Sequence, residues 1–126
     1  MFKIVLIDDE KDWLDILHTL LTSMDLEVEV KQFSSVQEAY NYLLTGKQVD
    51  LVISDYLFPN EMTGLELFDK ITGIDTKNFI LISNSRIPPE KIKEIVHRDI
   101  VYLPKSYLVV KNFFKKHLLE SLQAIV

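Results

Sequence analysis

The fold is decided by a stretch near the start of the chain, residues 3–9, which is KIVLIDD. Its apolar part, Lys3–Ile7, is rich in β-branched residues and ends at two acids, Asp8 and Asp9. A second stretch, residues 50–55, is DLVISD and ends at Asp55. Short, continuously apolar runs are typical of strands that are buried on both faces. The two stretches therefore predict a parallel sheet with carboxylates at the ends of its strands.

Segments with strand and helix patterns alternate along the rest of the chain. Strands are predicted over Lys3–Ile7, Glu27–Phe33, Leu51–Ser54, Phe79–Ile82 and Val101–Leu103. Helices are predicted over Trp13–Met24, from the capping box at residues 35–38 to Gly46, over Gly64–Ile71, and from Pro88-Pro89 through Val96. A last helix would be capped by Ser106 and would carry an apolar stripe of Val110, Phe113, Phe114, His117, Leu118, Leu122 and Ile125.

This order predicts an α/β fold, a doubly wound, five-stranded parallel sheet with five helices. We expect residues 1–126 to form a single domain, because no linker or low-complexity segment interrupts the pattern.

Composition excludes several classes of function. The net charge of −5 and the pI near 5.1 argue against nucleic acid as a direct partner. With no cysteine, the sequence offers neither a disulfide nor a cysteine-based metal site or nucleophile. The apolar run at the start is too short for a signal peptide or a membrane span. We therefore expect a soluble, cytoplasmic protein without a membrane partner.

Polar residues follow the predicted strands at the sheet edge where α/β proteins bind ligands. Asp8 and Asp9 follow the first strand, Asp55 the third, Ser83 the fourth and Lys105 the fifth. Close carboxylates repel each other by roughly 4 kcal/mol per pair at an effective dielectric near 20. A magnesium ion, which prefers oxygen ligands, would offset that repulsion. Adjacent acids can also simply cap the next helix, but a third carboxylate at another strand end favours a metal and phosphate pocket.

These residues resemble the receiver domain of bacterial two-component response regulators. The resemblance rests on the stretch from Ile4 to Glu10, the stretch from Asp50 to Asp55, Pro59, and the segment from Gly64 to Leu67. It extends over nearly the whole chain, with the key residues in the family's order.

The resemblance implies a role for each residue. Asp55 would accept a phosphoryl group from a phosphohistidine of a sensor histidine kinase or a histidine phosphotransfer protein. Mg²⁺ would be bound by Asp9 and Asp55, by Asp8 mainly through water, and by the backbone carbonyl of Leu57. Ser83 and Lys105 would contact phosphoryl oxygens.

The resemblance also implies a switch and an output. Tyr102 would be the aromatic switch that turns inward with Ser83 and signals to a downstream protein. The face formed by the fourth helix, the fifth strand and the fifth helix could also form a homodimer. The chain would assist its own phosphorylation and dephosphorylation without being a conventional enzyme.

The sequence departs from the family pattern around the pocket. Ser106 follows Lys105 where the family usually has a proline, often with a cis bond, and Pro104 precedes it. The loop from Pro59 to Gly64 is one residue longer than is common. Asn84 follows Ser83, where alanine or glycine is usual, and predicts slow or altered dephosphorylation.

Three other interpretations of the sequence compete with the phosphoacceptor. A receiver-like interaction module that is never phosphorylated would keep the fold without the chemistry, and the altered lysine loop keeps this alternative open. An aspartate-nucleophile phosphatase would need an Asp-x-Asp pattern after the first strand, which Asp8-Asp9 does not match. A flavin-binding protein would need a phosphate loop at that point, and the acids there would repel the phosphate.

Overall fold

The computed structural model of the protein describes residues 1–71, 79–84, 87–98, 100–108 and 116. Its strands are β1 (Phe2–Ile7), β2 (Val28–Phe33), β3 (Leu51–Asp55), β4 (Phe79–Ser83) and β5 (Val101–Pro104). Its helices are α1 (Lys11–Thr22), α2 (Val36–Leu43), α3 (Gly64–Ile71), α4 (Pro89–His97) and α5 (Lys105–Leu108). The apolar stripe predicted from Val110 to Ile125 lies outside the described residues.

The strands form one parallel sheet in the order β2-β1-β3-β4-β5. The order reverses between β1 and β3, and this switch point is where open α/β sheets place their ligand site. The predicted doubly wound fold is confirmed.

Two apolar clusters cover the two faces of the sheet. One joins α2, α3 and α4 to side chains such as Val5, Val52 and Leu81. The other joins α1 to alternate residues of the same strands, such as Ile4, Ile53 and Ile82. Because successive side chains of a strand point to opposite faces, one continuous apolar run supplies both clusters. This burial explains why these strands contain almost no polar residues before their carboxyl ends.

Several helix ends differ from the prediction, and α1, predicted over Trp13–Met24, spans Lys11–Thr22. The regular part of α2 ends at Leu43, and the chain continues in a turn to Gly46, whose φ of 77° is one that glycine adopts without strain. Helix α5 begins at Lys105 directly after β5, so Ser106 already lies in its first turn and does not cap it. The predicted Ser106 cap was therefore wrong.

Helix α2 begins with a contact that joins it to the loop between β3 and α3. Ser35 caps the helix by accepting a hydrogen bond from the backbone N–H of Glu38, at 3.3 Å. The Glu61 carboxylate, from the β3–α3 loop, accepts bonds from the Ser35 hydroxyl at 2.7 Å and from the Gln37 backbone N–H at 3.2 Å. A carboxylate at a helix N-terminus is favoured by the helix dipole. The loop that follows Asp55 is thereby attached to α2.

Helix α3 has a capping box that the sequence analysis missed. The Thr63 hydroxyl accepts a bond from the Glu66 backbone N–H at 3.1 Å, and the Glu66 carboxylate accepts one from the Thr63 N–H at 3.2 Å. The Thr-x-x-Glu pattern is the signal that could have identified this box. Among the described residues, no helix is long and apolar enough to cross a membrane.

Candidate functional site

A group of polar side chains lies at the carboxyl ends of β1, β3 and β4 and at the start of α5. Asp8, Asp55, Ser83 and Lys105 are all buried, with Lys105 and Asp8 at 0% exposure. Each follows or ends a strand whose apolar residues are fixed in the core. The strands therefore position the polar groups, and a shift of one residue in register would move them to another face.

Lys105 lies between two carboxylates. Its ammonium is 2.7 Å from Oδ2 of Asp8 and 3.4 Å from Oδ2 of Asp55. The same ammonium lies 5.2 Å from the centroid of the Trp13 ring, within cation–π distance. The side chain is thus fixed by two acids on one side and an aromatic ring on another. Although proline does not follow Lys105, the lysine reaches the site, and no cis peptide bond occurs among the described residues.

Backbone groups orient the two buried carboxylates. Oδ1 of Asp8 accepts a hydrogen bond from the Glu10 N–H at 2.9 Å. Oδ1 of Asp55 accepts one from the Tyr56 N–H, also at 2.9 Å. The second oxygen of each carboxylate faces Lys105, and Asp55 also lines the cavity described next.

The ionisation of these groups is strongly coupled. Burial, followed by the charge of Asp8, raises the pKa of Asp55 to about 7, although Lys105 opposes the shift. Burial also raises the pKa of Asp8 against the opposing effect of Lys105. Burial alone would lower the pKa of Lys105, but its hydrogen bond to Asp8 and the charges of both acids raise it overall. The one positive charge of Lys105 therefore does not fully offset the negative charges of Asp8 and Asp55.

The three carboxylates fit a divalent metal ion. Oxygens of Asp8, Asp9 and Asp55 lie within 4.8 Å of one another, and Asp9 is exposed to solvent. Oδ2 of Asp8 is buried and is paired with the Lys105 ammonium at 2.7 Å. The donor set consists of hard oxygens, which suits Mg²⁺.

A small cavity opens above Asp55. It has a volume of about 180 Å³ and is lined by Asp9, Glu10, Asp55, Leu57, Pro59, Asn84 and Lys105. At ~30 Å³ for each water-sized group, it has room for about six such groups. This is enough for the oxygens of a phosphoryl group together with water. Leu57 lines the cavity, and its side chain is 50% exposed.

The loop under the cavity is held by a close backbone contact at Gly64. The Gly64 N–H donates to the Tyr56 carbonyl at 2.8 Å. A β-carbon at Gly64 would overlap the carbonyl oxygen of Asp55 and a methyl group of Leu81. Glycine therefore allows α3 to pack directly against the backbone of Asp55.

The remaining predicted site residues lie near the same edge. Ser83 ends β4 and is buried, and Asn84 beside it is exposed. Tyr102, in β5, is half-buried against the cluster under α2, α3 and α4, and burial raises the pKa of its hydroxyl. The structure thus brings Asp8, Asp9, Asp55 and Lys105 together. Sequence reasoning missed the contact of Trp13 with Lys105, for which the sequence contains no local signal.

Comparisons with known proteins agree with this architecture. The sequence model of the response regulator receiver domain matches residues 4–123. No curated protein matches the chain. An uncharacterised protein from Neptuniibacter caesariensis is 25% identical, with a TM-score of 0.80, over 98% of this chain and 89% of that one.

Two further solved structures are similar. The signal receiver domain of an HD domain-containing protein from Pseudomonas fluorescens is 25% identical, with a TM-score of 0.74, over 98% of this chain and 88% of that one. A response regulator protein from Thermotoga maritima, in complex with Mg²⁺-BeF, is 22% identical, with a TM-score of 0.74, over 97% of this chain and 99% of that one. The chain belongs to the response regulator receiver domain family.

Proposed function

We propose that the chain is a single receiver domain in which Asp55 accepts a phosphoryl group from a phosphohistidine of a sensor histidine kinase or a phosphotransfer protein. The observation that carries the proposal is the placement of the Asp55 carboxylate. It lies at the floor of a small cavity, with Lys105 3.4 Å away and two further acids beside it.

The reaction needs positioning and charge neutralisation more than covalent chemistry by the protein. A carboxylate oxygen of Asp55 forms the new bond to phosphorus, the P–N bond of the phosphohistidine breaks, and the imidazole keeps the electron pair. The Tyr56 N–H orients the carboxylate for this attack. Because the pKa of Asp55 is about 7, the nucleophilic, ionised form is present at neutral and higher pH.

Lys105 and Ser83 would bind the transferred group. The ammonium that now lies between Asp8 and Asp55 is close enough to contact a phosphoryl oxygen on Asp55. Ser83 ends the neighbouring strand β4, where its hydroxyl could donate to a second oxygen.

Mg²⁺ would be held by Asp9, Asp55 and the Leu57 carbonyl, with Asp8 acting mainly through water, and when bound it neutralises charge on the phosphoryl oxygens. The donor set of this chain supports that assignment, as does the Mg²⁺-BeF complex of the similar Thermotoga protein.

The output would pass through Tyr102 to the face formed by α4 and β5. Phosphorylation adds roughly two negative charges to the pocket, and movement of Ser83 toward them would open space for the half-buried Tyr102 ring. Ile92, Val96 and Val101 are exposed on this face, with Val96 at 67% exposure. Exposed apolar groups of this kind suit a downstream protein or a homodimer. The proposal implies a cytoplasmic protein, because histidine kinases are charged by cytoplasmic ATP.

The test is incubation with a small phosphodonor, with and without Mg²⁺, followed by intact-mass measurement. The wild type should gain one phosphoryl group only with Mg²⁺, and Asp55→Asn should gain none. Asp25→Asn, which removes an exposed carboxylate after α1, is the matched control and should behave as the wild type. If the wild type gains no phosphoryl group, the domain is a receiver-like interaction module. If Asp55→Asn gains it equally well, the assignment of the phosphoacceptor is wrong.

A further inference from the structure

A second cavity lies at the opposite end of the sheet. It has a volume of about 470 Å³ and is lined by residues of β1, β2, α2 and the segment before β3, among them Lys3, Lys31, Tyr42 and Lys47. We call this cavity the lysine cleft. Lys3, in β1, is five residues before Asp8, which directly follows that strand, a separation of about 16 Å at ~3.3 Å per residue. The lysine cleft is therefore separate from the phosphoacceptor pocket.

The fold explains why this cleft is open. Lys3 pairs with Glu29 and Val5 pairs with Lys31 across β1 and β2, so all four side chains lie on the face that α2 covers. The α2 ring Tyr42 packs on Phe33 at the far end of β2, with the ring centroids 5.3 Å apart. Lys3, Glu29 and Lys31 are left exposed beneath the end of the helix.

The cleft concentrates positive charge in an acidic protein. Three lysines line it, against one carboxylate, Glu29, while the whole chain has a net charge of −5. Within the part of the chain that the structure describes, none of the three ammonium groups lies within ion-pair distance of a carboxylate. The nearby buried Asp50 instead accepts a hydrogen bond from the backbone N–H of Lys3, at 2.8 Å.

Tyr42 holds two of these cations in place. The ammonium groups of Lys31 and Lys47 lie 5.1 Å and 5.4 Å from the centroid of its ring. Such cation–π contacts position a lysine without neutralising its charge. The turn at Gly46, which returns the chain toward β3, brings Lys47 to the cleft. Three separate segments thus direct unneutralised cations to one concave surface.

We propose that the lysine cleft binds a small molecule that carries two or more phosphate groups. Several converging ammonium groups favour a polyanion over a single carboxylate, and lysine binds phosphate oxygens as a point charge. A volume of about 470 Å³ lies in the range of small-molecule sites, 300–1,000 Å³, and exceeds that of inorganic phosphate. Tyr42, which also lines the cleft, supplies apolar contact for the organic part of such a ligand.

The test is a titration of the ¹⁵N-labelled protein with ADP and with pyrophosphate, followed by amide chemical shifts. Mg²⁺ is omitted and EDTA is present, so that the carboxylate pocket cannot recruit phosphate through a metal. ADP should shift the amides of Lys3, Lys31 and Lys47, and adenosine should not. The double variant Lys31→Gln/Lys47→Gln should bind ADP at least tenfold more weakly.

Lys70→Gln is the matched control. Lys70 is also exposed, with its ammonium 5.5 Å from the ring centroid of Tyr40, but it does not line the cleft. The Lys70→Gln variant should bind ADP as tightly as the wild type does, and circular dichroism should show that all variants are folded. Binding of pyrophosphate along with ADP also supports the proposal. The proposal fails if ADP causes no amide shifts at millimolar concentration, or if adenosine binds as tightly as ADP. It also fails if the shifts centre on Asp9 and Asn84, near the phosphoacceptor pocket. A Lys70→Gln variant that weakens ADP binding as much as the double variant does would likewise contradict it.

Discussion

The ionisation of Asp55 should make the stability of the metal-free protein depend on pH, and Asp55→Asn should remove that dependence. The ordinary pKa of an aspartate, 3.8, applies to the unfolded chain, and the folded protein raises that of Asp55 to about 7. Between these values the native state binds more protons than the unfolded state. Stability therefore falls as pH rises through this window and levels off above it.

The magnitude follows from the linkage relation. One pH unit corresponds to about 1.4 kcal/mol for one proton, so the range from about pH 5.5 to pH 7 contributes about 2 kcal/mol at most. Asparagine keeps the shape of the side chain but cannot ionise. The stability of Asp55→Asn relative to the wild type should therefore increase by up to about 2 kcal/mol over this range and become constant from about pH 8.

Urea denaturation in EDTA at a series of pH values measures the difference directly. Asp25→Asn removes one exposed charge far from the pocket and controls for the change in net charge. An Asp55→Asn difference that stays constant across the series, within about 0.5 kcal/mol, would refute the reasoning that burial and Asp8 hold Asp55 protonated.

Four further predictions concern the residues around Asp55. Lys105→Met leaves two buried acids without their cation and should destabilise the metal-free protein by about 3–5 kcal/mol in urea denaturation, whereas a loss below about 1 kcal/mol would contradict the ion pairs. Mg²⁺ should change the emission of Trp13, the one tryptophan of the chain, because the Lys105 ammonium lies 5.2 Å from its ring and a divalent cation would repel it. Unchanged emission while calorimetry shows binding would exclude this coupling. Gly64→Ala should lower stability by about 1–3 kcal/mol, seen as a lower Tm, because the new methyl group overlaps the Asp55 carbonyl oxygen. Asn84→Ala should change the lifetime of the phosphorylated protein, since the amide lines the cavity where water would attack, and an identical decay rate measured by intact mass would oppose this role.

The strands could be predicted from local sequence, and the common edge of the site residues could be predicted from the topology that those strands imply. The apolar run at residues 3–7 predicts a strand, and the observed strand, Phe2–Ile7, differs by one residue. Helix α3 has the predicted bounds, Gly64–Ile71. The acids Asp8 and Asp55 lie together because parallel strands end at the same edge.

Contacts between distant side chains could not be predicted. Glu61 accepts hydrogen bonds at the start of α2 because the loop after Asp55 folds toward that helix, and no spacing in the sequence encodes that approach. The same holds for Trp13 and Lys105, which meet only when α1 and the end of β5 pack on the sheet. The lysine cleft could not be predicted from the sequence, because its lysines belong to three segments. Each of these segments has the pattern of an ordinary solvated surface.

Lys105 also has a consequence for the order in which the chain can assemble. Among the described residues it is the largest of the fully buried side chains, and it directly follows β5, the last strand of the sheet. Until β5 has joined β4, Asp8 and Asp55 would have to be buried without a cation, which costs several kcal/mol. During synthesis, a chain that has emerged only as far as β4 should keep this edge of the sheet hydrated and loosely formed. The pairing of β5 with β4 then completes the sheet and the pocket in one step.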